Sequence, residues 1–271
     1  MYAAMATEPG QADKQNEDWA GVSPNVAVLL DGLSSTRDTE SGCQHGTPWF
    51  VNQLGIRLLV EARDPERTLQ DALATAIDQV SKLHPMCDLT HPGSPSTTVA
   101  TLRKTSNYGV EYLILADARV VFEGPEGVQV VTDERVDSVA GAARDAVLRE
   151  PIGSSEHRLA ITDLIATQQP FRNRPDGYWI AAADPAVAAQ ALTGSVRSAT
   201  IDHAALLSDG ASRLVDTFEA ATWEQTLTLA RKHGPDHVIA RVREIERSDP
   251  TGQRWPRYKT SDDATFIYIR W

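Results

Sequence analysis

The chain has 271 residues, 41% hydrophobic and 23% charged, which is enough apolar content to bury a core. Thirty-seven Asp and Glu against 26 Lys and Arg give a net charge of −11. That balance argues against nucleic acid or an anionic membrane surface as the main partner, and it supplies many oxygen ligands for hard cations.

Two cysteines, Cys43 and Cys87, have no pairing motif around either. This argues against a disulfide scaffold and against a Cys-based zinc site, and it fits a reducing cytosol. No apolar run nears the roughly 18 residues that cross a bilayer. The N-terminal MYAAMATEPGQADKQNED lacks the basic-then-apolar pattern of a signal peptide. The expectation is a soluble, cytoplasmic protein.

In chain order, Asp18 stands ahead of the expected first strand, and 26–30 (VAVLL) reads as a buried strand ending at Asp31-Gly32. A helix is expected over 49–61. A second is predicted over 66–84, where Leu69, Leu73, Ala76, Ile77, Val80 and Leu83 recur every three or four residues and Asp64-Pro65 offers a start signal. Strands follow at 97–102, 112–115, 120–122 and 128–131. The middle two are only four residues apart, which is hairpin spacing. Next come a helix at 135–149, a loop-rich stretch at 151–175, a strand at 178–181, and a helix at 186–192 begun by Asp184-Pro185. A strand at 203–207, helices at 217–232 and 235–247, a basic surface loop at 247–259 and a last strand at 265–271 complete the chain. This mixed order argues for an α+β fold of largely antiparallel strands covered by helices, not a doubly wound parallel sheet. One domain is expected over 1–271.

The aspartates are placed at the ends of the apolar runs. Asp31 follows VAVLL, Asp209 follows ALLS, Asp117 ends YLILA, Asp262 and Asp263 precede ATFIYI, and Asp18 sits in NED. Any one of these is explained by a turn, since Asp-Gly is a common turn pair. If the strand ends converge, however, the carboxylates repel unless a cation neutralises them, and oxygen-only ligands suit Mg²⁺ or Mn²⁺.

Six segments in order resemble the metal-dependent type 2C (PPM) protein serine/threonine phosphatases. Gln15-Asn16-Glu17-Asp18 is similar to the family's N-E-D, and Val28-Leu29-Leu30-Asp31-Gly32 to its apolar strand ending in D-G. Ser96-Thr97-Thr98-Val99-Ala100 resembles its S/T-T-A segment, and Ala116-Asp117-Ala118-Arg119 its G-D-S-R hairpin. Ser208-Asp209-Gly210 matches S-D-G, and Asp262-Asp263-Ala264-Thr265 matches the closing D-N/D-x-T/S. The resemblance implies a four-layer α-β-β-α sandwich with two divalent ions at one end. Asp31 would bridge both ions and the Gly32 carbonyl would add a ligand. Asp209 and Asp262 would complete the second ion, Asp18 would hold the site, and Asp117 would serve a third ion. Asp31 and Asp209 are thereby the implied catalytic residues. A water activated by the ions would attack phosphorus in line, without a phosphoenzyme. Phosphorylated proteins are the implied substrates, a serine/threonine kinase the implied counterpart, and signalling the implied setting.

The chain also departs from the family pattern. The D-G-H-G-G or D-G-M-G-G segment is Asp31-Gly32-Leu33-Ser34-Ser35, so the leaving-group His of some members is absent. Asp13 stands where a phosphate-binding Arg is usual, which leaves adjacent Lys14 as the phosphate-binding candidate, a point charge without the bidentate fork. Arg213 replaces an acid that usually follows S-D-G; it would pair with an acid at the surface or touch phosphate. These departures keep a second reading open: a weak or inactive member that binds and regulates phosphoproteins. A third, a two-carboxylate glycosidase, would work without metal. The seven histidines have no H-E-x-x-H spacing and read as surface or helix-end residues, with His45 within reach of the site.

Overall fold

The computed structural model describes residues 1–33, 41–106 and 109–271. Strand β3 (Val26–Leu33) is apolar at five successive positions because both of its faces are buried: Val28 and Leu30 point to one side, Ala27 and Leu29 to the other. The last strand, β10 (Ala264–Arg270), divides the same way, with Phe266 and Tyr268 against Ile267 and Ile269.

These central strands belong to two five-stranded sheets. One contains β2 (Asp18–Val22), β3, β4 (Ser96–Lys104), β5 (Gly109–Leu115) and β8 (Leu192–Arg197), in the order β2-β3-β4-β5-β8. The other contains β1 (Tyr2–Glu8), β6 (Arg119–Gly124), β7 (Gly127–Val131), β9 (His203–Leu207) and β10, in the order β1-β10-β9-β6-β7. Every pairing within these sheets is antiparallel. Leu29, Leu102, Phe122, Leu206 and Ile267 fill the space between the sheets.

Helices α1 (Thr47–Glu61) and α2 (Leu69–Ser81) cover the first sheet with Leu54, Leu58, Leu73 and Ile77. Helices α3 (Gly141–Arg149) and α4 (Ser155–Gln168) pair with each other. Helices α5 (Asp209–Asp216), α6 (Trp223–His233) and α7 (Pro235–Ser248) cover the second sheet with Leu214, Leu227, Val238 and Val242. The α+β, four-layer α-β-β-α sandwich is therefore as expected. Among the described residues no helix is long and apolar enough to cross a membrane.

Several local expectations are corrected. The first strand is Tyr2–Glu8, not one after Asp18; this edge strand leaves Tyr2 and Met5 exposed and so lacks a clear apolar signal. Strands β5 and β6 are not a hairpin. They lie in different sheets, and Ala116, at φ 64, turns the chain from one to the other. A four-residue link serves either geometry, and the demand of both strands for two covered faces decides between them. Residues 178–181 make only isolated bridges, while the polar edge strand β8 passes unnoticed in LTGSVR.

Helix α2 starts at Thr68, whose side chain accepts from the Asp71 amide, and not at Asp64-Pro65. The 135–149 helix is a 3-10 turn (Glu134–Ser138) and α3, broken at Ala140 with φ 57. Within 151–175 lies α4, whose periodicity is weak because it buries only His157 and Leu164. The 186–192 segment is a 3-10 helix (Pro185–Gln190) capped by Asp184. The 217–232 helix is α6, begun by a Thr222–Gln225 capping box. In the basic 247–259 loop Arg257 is buried on Asp249 (3.1 Å).

Candidate metal centre

Strand register brings the acids to one end of the sandwich. Asp18 at the start of β2 is directly opposite Asp31 at the end of β3. Leu207 at the end of β9 is opposite both Arg119 and Phe266, so Asp209, Asp117 and Asp262 lie just beyond the same sheet end. The sheets meet here: the Asp209 amide donates to Asp31 Oδ2 at 3.2 Å across 178 positions of sequence. Thr97 Oγ1 donates to the Asp31 carbonyl at 2.8 Å, fixing the strand end from the β4 side.

The two D-G glycines serve close approach rather than turning, since neither has a positive φ. A Cβ on Gly32 would lie 2.5 Å from the Glu17 carbonyl oxygen, and one on Gly210 would lie 2.0 Å from the Asp263 carbonyl oxygen. Asp263 is a positioning residue: it accepts from the Gly10 amide (2.8 Å) and the Glu17 amide (2.6 Å), pinning the segment that delivers Asp18.

Electrostatics divides the cluster in two. Burial pushes the Asp18 carboxyl up to about 8, against the nearby Thr265 and Ser208 hydroxyls, with Asp263 and Asp209 adding to the rise. Loss of water, then Asp18, Asp209, Asp262 and Asp117, lift Asp31 well above the carboxylate range. Asp209 is raised by the same loss of water and by Asp262, against Arg213, Lys259 and Arg119. Desolvation and Asp209 carry Asp117 up to about 6. Asp262 goes the other way. Burial would raise it, but Lys259 (2.8 Å) and Arg213 (3.2 Å) hold its carboxyl below the ordinary value.

Asp18 provides the test of fit for a divalent ion. It is 8% exposed, and among the described residues neither of its carboxylate oxygens has a hydrogen-bond partner. An ionised carboxylate only accepts, so such a group needs a cation or a proton. A hard cation would answer that need, and Asp31, opposite Asp18, and Asp209, whose amide binds Asp31, are oxygen donors of the right chemistry. Asp262 fits one only on releasing Lys259.

The other sequence candidates are placed differently. Lys14 is exposed on the turn before β2, its amide donating to the Gln11 carbonyl (3.1 Å), and among the described residues no ion pair joins it to the acids. Arg213 is not at the surface. It is buried between Asp262 and Glu246 (2.8 Å), and Glu246 also binds Arg243 (2.8 Å). Lys259 and Glu246 were missed because nothing local marks them: one lies in a basic loop, the other on the buried face of α7. Ser34 and Ser35 lie outside the described residues. His45 and His84 flank the ends of α1 and α2, as expected of helix-end residues, and they meet Cys43 and Cys87 in a group that includes none of the acids. The two cysteines, 44 positions apart and without a pairing motif in the sequence, are thus brought together by the fold.

A family model described as Protein phosphatase 2C matches residues 11–242. The chain belongs to the protein phosphatase 2C family. Solved structures of similar fold include the Mycobacterium tuberculosis serine/threonine phosphatase PstP/Ppp, 12% identical over 98% of this chain and 97% of that one, with a TM-score of 0.59. Serine/threonine phosphatase Stp1 from Staphylococcus aureus is 16% identical over 99% and 94%, with a TM-score of 0.56. The catalytic domain of PstP in complex with two manganese ions is 12% identical over 98% and 96%, also at 0.56. No curated protein sequence matches the chain.

Proposed function

We propose that this protein phosphatase 2C family member is a Mg²⁺- or Mn²⁺-dependent hydrolase of phosphoserine and phosphothreonine in proteins. The observation that carries the reading is Asp18, a buried carboxylate whose oxygens have no hydrogen-bond partner among the described residues, opposite Asp31, which the Asp209 amide binds. When bound, two ions lower the pKa of water to about 7 and offset the charge of the phosphate dianion. Asp31 would serve both ions, the Gly32 carbonyl would serve one, Asp209 and Asp262 would serve the other, and Asp18 would hold the site directly or through water. Asp117 is assigned to a further ion position beside Asp209. The Asp209 amide orients Asp31, and Asp263 holds the Asp18 segment in place. Lys14, exposed on its turn, is assigned to the substrate phosphate. A protein serine/threonine kinase supplies the substrate, and nucleic acid and membranes play no part.

A second reading, a weak or inactive member that binds and regulates phosphoproteins, is favoured by Arg213 and Lys259, which occupy Asp262. One assay separates the two. The purified chain should hydrolyse p-nitrophenyl phosphate and a phosphothreonine peptide, lose both activities in EDTA, and regain them with Mn²⁺. Metal binding by calorimetry without turnover would favour the second reading. Turnover that persists in EDTA would overturn both.

A further inference from the structure

Cys43, His45, His84 and Cys87, none of them one of the acids, bring four ligand atoms together. All four atoms lie within 4.8 Å of one another. Cys43 Sγ is 3.4 Å from His84 Nδ1 and 3.7 Å from His45 Nδ1, and Cys87 Sγ is 3.6 Å from His45 Nδ1. Tetrahedral zinc, with bonds of about 2.3 Å to sulfur and about 2.0–2.1 Å to nitrogen, separates sulfur from nitrogen by about 3.5 Å. A disulfide would explain the sulfurs but leave both imidazoles turned to the same point without cause. We propose that these residues form a closed Cys₂His₂ zinc site, separate from the acid cluster and independent of the phosphatase reading.

The surroundings support a built site. The His45 amide donates to Cys43 Sγ at 3.4 Å, a contact that stabilises a thiolate. Gly42 (φ 69) and Gly46 (φ 77) bracket Cys43 and His45, giving the tight turn that aims both inward. The Asp88 amide donates to the Gly42 carbonyl at 2.8 Å, joining the two ligand-bearing loops. Trp49 stacks on His45 (4.3 Å) and meets the edge of His84 (4.7 Å), covering the pair with an apolar ring. His84 is buried. With four protein ligands no coordination position is left for substrate, so the zinc is structural. Two thiolates balance its charge, and binding releases two thiol protons.

The placement gives the site a role. Residues 41–46 lead into α1, whose Thr47 lies against Gly32; a Cβ there would be 2.7 Å from Thr47 Cγ2. Residues 84–94 lead into β4, whose Thr97 binds the Asp31 carbonyl. Zinc would tie together the two segments that flank Asp31.

The test uses the full chain expressed with zinc in the medium. Metal analysis should find about one zinc per chain, retained after an EDTA wash that strips Mn²⁺. Cobalt exchanged for zinc should give thiolate-to-cobalt charge transfer and the intense visible bands of a four-coordinate site. Cys87→Ser and His84→Ala should lose both signals. If those variants fail to fold, the wild-type cobalt spectrum and slow alkylation of both thiols carry the result. A zinc-free wild-type chain with two freely reactive thiols, or one with a Cys43–Cys87 disulfide, would overturn the proposal. These readouts are metal content, spectra and thiol reactivity, so a chain without phosphatase activity would leave them unaffected.

Discussion

Asp18 and Asp262 lie at the same end of the sandwich, and their surroundings are opposite. Asp18 is enclosed, its carboxylate oxygens have no hydrogen-bond partner among the described residues, and burial lifts its carboxyl to about 8. Asp262 holds two cations, Lys259 at 2.8 Å and Arg213 at 3.2 Å, and titrates below its usual value. A carboxylate removed from water needs a compensating charge. On the Asp262 side the protein supplies it. On the Asp18 side it comes from outside, as a proton or a metal ion. The cluster is thus half neutralised by the fold and half left for a ligand.

The most severe way to break this picture is to remove the acids assigned to the ions. Asp31→Asn and Asp209→Asn should each lower Mn²⁺-dependent turnover by more than the roughly 10- to 100-fold typical of outer-shell changes. Unchanged turnover of either variant would refute the proposed site. Next is the side already neutralised. Arg213→Met leaves Glu246 with Arg243 alone and Asp262 with Lys259 alone. Breaking a buried pair in this way should cost about 3–5 kcal/mol, read by urea denaturation.

A smaller effect is expected on the other side. A carboxyl whose folded pKa is raised adds stability that is complete below its unfolded pKa and lost as pH rises through the folded one. For Asp18 that window runs from 3.8 to about 8. The metal-free chain should therefore lose stability as pH rises from about 5 to about 8, and Mn²⁺ should flatten the loss. Asp18→Asn should raise the metal-free melting temperature at pH 8 while weakening Mn²⁺ activation; a lower melting temperature would mean the carboxylate is satisfied in the fold. The smallest change is at the partly exposed Lys259. Lys259→Met should reduce the Mn²⁺ concentration needed for half-maximal activity. A loss of kcat/KM with metal affinity unchanged would instead place Lys259 on the phosphate.

Much of this was legible in the sequence. An acid directly after VAVLL or ALLS reads as the mouth of a strand, and the family resemblance named Asp18, Asp31 and Asp209 as one set, but that the ends of two different sheets meet is seen only in the fold. The glycines after Asp31 and Asp209 were legible as signals but not in their cause, which is backbone approach and not a turn. The destination of β6 was not legible, because a four-residue link fits a hairpin or a change of sheet. Nor was the environment of Arg213, whose partners Glu246 and Asp262 are 33 and 49 positions away.

By itself the sequence determined the two-sided apolar strands and the acids at their ends, because burial of adjacent residues leaves a local pattern, while the sandwich was implied by the family resemblance. Only the tertiary structure decided which acids keep a protein cation, and that Cys43 and His84, 41 positions apart, share one point with His45 and Cys87. Such meetings depend on the path of the loops between elements, and periodicity carries no record of that path.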